Sequence, residues 1–183
     1  MINSRPLYCH GVNKHEEDTD IRGRGFDRVV LARDFSLLQW LRVNCVRTSH
    51  YPYSEDFMEL ADMHRIAVID ELPAVGLTED SNYSPRQLAL HKCLFSELYS
   101  RDKNRSSVIM LSLANEPDST KASAGAYFKR GVRLRARTRL DASCHVRLLE
   151  SGMGQGARDE VRERDGAEPV LRVVCGRRTS RAN

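Results

Sequence analysis

Over the first 130 or so residues, short apolar runs alternate with amphipathic stretches. Leu7–Val12 is an apolar run that breaks into Asn13, Lys14, His15 and Glu16. Beyond Asp34, a helix-capping residue type, Phe35, Leu38 and Leu41 recur at three-residue steps, with Leu37 and Trp40 widening the face, which predicts a helix. Cys45–Val46 opens an extended piece leading into Arg47, Thr48, Ser49 and His50. Ser54 then caps a second predicted helix. Glu55 and Asp56 suit its positive N-terminus, and Phe57, Leu60, Ala61 and His64 share a face. Ile66–Ile69 is a β-branched run closing in Asp70 and Glu71. Ser84-Pro85-Arg86-Gln87 places Ser at N-cap, Pro at N1 and Gln at N3 of a third helix, in which Leu90, Leu94 and Leu98 follow at i+4 steps beside His91 and Phe95. Val108–Ala114 is almost continuously apolar and ends in Asn115-Glu116-Pro117.

A run without polar alternation is a strand buried on both faces, as in a parallel sheet. Strands that alternate with helices need crossover connections, so the pattern predicts an α/β fold of right-handed βαβ units. Each predicted strand ends in ionisable or amide residues: His15 and Glu16, Arg47 and His50, Asp70 and Glu71, Asn115 and Glu116. Parallel strands bring those ends to one side, where a β/α barrel builds its active site.

Composition divides the chain. Residues 1–128 carry 15 Lys and Arg against 18 Asp and Glu, whereas residues 129–183 carry 14 against 7. After residue 140, Gly, Arg, Ser and Glu dominate without periodicity. Such composition buries too little apolar surface to offset backbone ordering, so 141–183 is read as a poorly structured basic tail. No apolar run approaches the roughly 20 residues that cross a bilayer. The five cysteines are widely spaced and form no C-x-x-C, and His10, His64, His91 and His145 show no ligand spacing, so neither a metal nor another cofactor is expected. Met1 to Pro6 lead into no apolar leader, and a cytoplasmic location is expected.

The motifs GVNKHEE, VRTSHYPYSEDFMELAD, IAVIDELPAVGL and RDKNRSSVIMLSLANEP resemble, in order, the catalytic barrel of the family 2 glycoside hydrolases. Within that family they look most like the animal β-glucuronidases, lysosomal enzymes that hydrolyse O-glycosyl bonds of terminal β-glucuronates in glycosaminoglycans. The resemblance runs over roughly 5–140 and fades at Ser143. It implies the first half, about four βα units, of a TIM (β/α)8 barrel over 1–140, followed by the tail over 141–183. It also implies Glu116 as the general acid/base, Asn115 as a holder of the sugar, and His15, Arg47 and His50 as residues lining the pocket. Asp70 and Glu71 fall on a rim motif with a partly structural role.

A retaining glycosidase needs two carboxyl groups about 5–5.5 Å apart, one acting as nucleophile. The resemblance puts that second Glu at the end of strand seven, whereas 67 residues follow Glu116 here. Glu150, after Val146-Arg147-Leu148-Leu149, comes nearest to a strand end, but its surroundings match nothing in the family. The expectation is therefore an inactive glucuronidase-like chain, the product of a degenerate gene copy with a shifted reading frame after Ser143. Its ancestral substrates would be glucuronide-terminated glycans. Unpaired barrel strands would favour self-association. Two alternatives stand beside this reading. Arg133, Arg135, Arg137 and Arg139 alternate and would share one face of a strand that holds polyanions, without specific nucleic-acid recognition. Or the half-barrel regains activity by associating with a chain that supplies the nucleophile.

Overall fold

The computed structural model describes residues 7–18, 23–118, 120–128 and 147–150. Within them lie β1 (Gly11–Lys14), a small antiparallel pair β2 (Glu17–Asp18) and β3 (Gly23–Arg24), α1 (Arg28–Trp40), β4 (Cys45–Thr48), α2 (Glu55–His64) and β5 (Ala67–Glu71). A 3₁₀ turn (Asp80–Tyr83), α3 (Pro85–Asp102), β6 (Val108–Ala114) and β7 (Arg147–Glu150) follow. One five-stranded sheet runs β1-β4-β5-β6-β7, every pair parallel and every neighbour next in chain order. This is the progression of a barrel wall, with helices as the crossovers.

The alternation of side chains divides the sheet into two faces. Val46, Val68, Leu111 and Leu113 join Leu31, Phe35, Phe57, Met58, Ala61, Leu88, Phe95 and Leu98 of the helices in the main core. Cys45, Ala67, Ile69 and Met110 form a separate cluster on the opposite, inner face. Both faces of β5 are buried along its whole length, which explains a segment with no polar alternation. β1 approaches β4 so closely that a Cβ on Gly11 would sit 2.8 Å from the Cys45 carbonyl oxygen, so only glycine fits there.

Ser54 and Ser84 act as the predicted caps, accepting from the Phe57 and Gln87 amides at 3.3 Å. The first helix differs from expectation. It is capped by Asp27, which accepts from the amides of Val29 and Val30, and Asp34 lies mid-helix in an ion pair with Lys14 at 2.9 Å. Its buried positions are Leu31, Phe35 and Leu38, whereas Leu37, Trp40 and Leu41 are exposed. In α3 the buried stripe is Leu88, His91, Phe95, Leu98 and Asp102, and Leu90 faces solvent. Of the residues read at i+4 steps, Leu98 is on that stripe, as are the flanking His91 and Phe95, and Leu94 packs against the core from its edge.

β7 lies within the segment read as a tail, pairing Met110 with Arg147 and Leu111 with Leu148. The sequence marks it only as the run before Glu150 that comes nearest to a strand end, and β6 offers that short stretch a ladder of hydrogen bonds which only the folded sheet presents. The alternating arginines at 133, 135, 137 and 139, and the glutamates at 160, 163 and 168, lie outside the described residues. Among the described residues no helix is long and apolar enough to cross a membrane.

Candidate active site

The inner rows of the sheet continue directly into the site. Beyond Cys45 on β4 comes Arg47; beyond Ala67 and Ile69 on β5 comes Glu71; beyond Met110 on β6 comes Ser112. All three meet. The Arg47 guanidinium donates to Glu71 Oε2 from both Nε and Nη2 at 2.5 Å. Ser112 donates its hydroxyl to the same oxygen at 2.7 Å. His50 Nδ1 lies 2.6 Å from the other oxygen, Oε1. Glu71 has no exposed surface, so burial of its charge depends on these partners. Glu71 is the hub that sequence reasoning assigned to a rim. Its signal was the step of two along β5 from Ala67, which puts it on the inner face.

Arg47 also donates from Nη2 to Asn115 Oδ1 at 3.1 Å, joining β4 to the end of β6. The Asn115 amide nitrogen is held by the Ala74 carbonyl at 2.9 Å. Glu116 follows with φ of 44°, a left-handed conformation that costs a non-glycine residue about 1 kcal/mol or more and concentrates at functional sites. Its side chain is exposed at the mouth. His15, at the end of β1, sets its ring edge-on to His50 with centroids 5.4 Å apart. Arg47, His50, Asn115 and His15 are thus brought together, and Glu116 stands beside them on the same strand end.

The remaining carboxylates are otherwise occupied. Glu16 accepts from the Ser54 hydroxyl at 2.6 Å and fastens the end of β1 to the start of α2. Asp70, expected at the mouth with Glu71, points the other way. It continues the outer row from Val68 and is buried towards α3, because adjacent strand residues face opposite sides. The backbone of β7 puts Glu150 at the same strand edge, in register with Ala114. Among the described residues no group of three His, Cys, Asp or Glu is arranged to hold a metal.

A parallel β/α sheet with its polar residues gathered at the strand ends is the catalytic architecture of the barrel hydrolases. The family model for the TIM barrel domain of family 2 glycosyl hydrolases matches residues 1–165, and the chain belongs to that family. The beta-glucuronidase of Felis catus is 54% identical over 129 residues, which is 70% of this chain and 20% of that protein. That of Sus scrofa is 44% identical over 175 residues, 96% of this chain and 25% of that protein. The solved β-D-glucuronidase of Dictyoglomus thermophilum superposes with a TM-score of 0.72 at 43% identity, over 81% of this chain and 27% of that one. The b-glucuronidase from Ruminococcus gnavus, in complex with a C6-substituted uronic isofagomine, gives 0.69 at 41% over 74% of this chain and 23% of that one. The chain therefore spans a fifth to a quarter of the length of the curated relatives it matches. The matches also correct the expected end of the resemblance. Both the family model and the Sus scrofa alignment run past Ser143, where the motif resemblance was expected to end.

Proposed function

We propose that this chain supplies the acid/base side of a β-glucuronidase site and does not by itself hydrolyse glucuronides. Glu116 is the proton donor to the leaving oxygen. Asn115, Arg47, His50 and His15 hold the uronate sugar against it. Likeness to proteins named beta-glucuronidase supports the substrate class, and the Ruminococcus gnavus relative is described in complex with uronic isofagomine. An acid/base protonates the glycosidic oxygen and later, as the carboxylate, draws a proton from water. Arg47 keeps Asn115 in place for that exchange, so the sugar meets a preformed wall.

The observation that carries the second half of the proposal is the commitment of Glu71. Among the carboxylates of the first three parallel strand ends, Glu71 is spent on Arg47, His50 and Ser112, Glu16 on Ser54, and Asp70 faces the helices. None is free to attack an anomeric carbon. Double displacement needs such a group about 5–5.5 Å from the acid, and an acid/base alone neither forms nor discharges a glycosyl intermediate.

A second reading has a specific observation behind it. β7 brings the backbone of Glu150 to the mouth edge beside Ala114, so the chain's own second carboxyl would be Glu150. Incubating the purified chain with a chromogenic glucuronide separates the two. The expected result is no release above buffer from the wild type, Glu116→Gln or Glu150→Gln. Release that Glu116→Gln abolishes would overturn the inactive reading, and its loss in Glu150→Gln as well would identify the nucleophile.

A further inference from the structure

We propose that Asp70 keeps its proton in the folded protein and shares it with Asp102, forming a buried acid pair that fastens the end of α3 to β5 and, through Thr48, positions the main chain of Glu71. The inference concerns the layer behind the site. It holds whether or not the chain turns over a glucuronide.

The bonding pattern requires a proton in that place. Asp70 and Asp102 are 0% and 1% exposed. Arg101 donates from Nε and Nη2 to Asp102 Oδ2 at 2.9 and 2.6 Å. Thr48 donates its hydroxyl to Asp70 Oδ1 at 3.4 Å. The two oxygens left over, Asp70 Oδ2 and Asp102 Oδ1, are buried and lack any other donor. The Asp102 carboxyl acts on Asp70 both through its charge and as a hydrogen-bonding partner, and each effect raises Asp70. Two ionised carboxylates would repel in so buried a place, and two lone pairs cannot bond each other. A proton on Asp70 Oδ2 directed at Asp102 Oδ1 satisfies both atoms at once.

Charges around the pair agree. From α3 come Arg101 and Asp102; from β4 comes Thr48, which does not titrate here; the β6 residue in register with Asp70 is Leu111. Glu55 at the start of α2 acts on Arg101 from outside, and Arg105 lies 3.7 Å from Glu55. Burial, and after it the facing Asp102 carboxylate, push Asp70 up to about 8, against which Arg101 and Thr48 pull only part of the way back.

Thr48 carries the effect to the site. Its Oγ1 accepts the Glu71 backbone N–H at 2.9 Å while its own hydroxyl proton is given to Asp70. A chain of hydrogen bonds therefore runs from Arg101 through Asp102, Asp70 and Thr48 to the main chain of the residue that holds Arg47 and His50. Asp70 is a positioning residue in this scheme.

The sign of the pH dependence follows from the raised value. Between about pH 4 and pH 8 the unfolded chain has lost the Asp70 proton and the folded chain retains it. This contribution to stability is whole below the unfolded value, falls as pH rises through that window, and is exhausted above it. The test is urea denaturation of the full chain and of Asp70→Asn across pH 5–9, with the Glu71 amide resonance followed in parallel. Asn donates to Asp102 and accepts from Thr48 without titrating. The folded-to-unfolded ratio of the wild type should fall relative to Asp70→Asn by about tenfold per pH unit up to about pH 8. The Glu71 amide should shift with a midpoint near pH 8 in the wild type and show no such transition in Asp70→Asn. Parallel stability profiles would overturn the proposal. Should Asp70→Asn fail to fold, the wild type decides alone: a Glu71 amide with no transition near pH 8 would overturn it equally.

Discussion

Asp70 and Glu71 are neighbours on one strand, equally buried, and chemically opposite. Glu71 faces inward, where Arg47, His50 and Ser112 supply donors to both of its oxygens. Asp70 faces outward, where it meets the influence of another carboxyl group, Asp102, whose arginine is already engaged. Burial raises the cost of charge in both places. What decides the state of each group is the set of donors that its side of the sheet provides. The inner face of the strand ends gathers donors around a buried carboxylate, and the outer face holds helices against the sheet.

The comparison can be broken most forcefully at its hub. Glu71→Ala leaves Arg47 and His50 without their shared carboxylate, and stability in urea at pH 7 should fall by about 3–5 kcal/mol. A loss below about 1 kcal/mol would mean that the inner cluster is not a coupled unit. Asp70→Asn sharpens the contrast by its sign: it should gain on the wild type as pH rises, where Glu71→Ala loses throughout. The inner wall itself is tested by Gly11→Ala. A methyl group 2.8 Å from the Cys45 carbonyl must push β1 off β4, and about 1–3 kcal/mol should be lost by the same assay. Removal of the α1 cap in Asp27→Ala should cost about 1 kcal/mol, an effect confined to the helix layer. Smallest is Glu116→Gln. Its side chain is exposed, so the denaturation midpoint should stay within about 0.5 kcal/mol of the wild type.

Much of this arrangement was legible in the sequence. The Ser54 and Ser84 caps, the doubly buried Val108–Ala114 run and the polar ends of the strands all follow from local rules, and four motifs carried the family. Arg47, His50, Asn115 and Glu116 could be placed at one edge because parallel strands share a direction. The missing parts depended on facing. A polar pair such as Asp70-Glu71 at the end of an apolar run carries no mark of which member turns inward; only the count from Ala67 supplies it. Asp102 looked like an ordinary residue near a helix end, since its partner lies 32 positions earlier in sequence. β7 was marked only by the short run before Glu150, and its four residues form a strand because β6 pairs with them.

Opposite charge states on the adjacent carboxyl groups of Asp70 and Glu71 are reported directly by 13C-carboxyl resonances of the full chain at pH 6.5. Asp70 should show the resonance of a protonated acid, absent in Asp70→Asn, while Glu71 shows that of a carboxylate. Two carboxylate resonances, or a proton found on Glu71 in place of Asp70, would contradict that assignment.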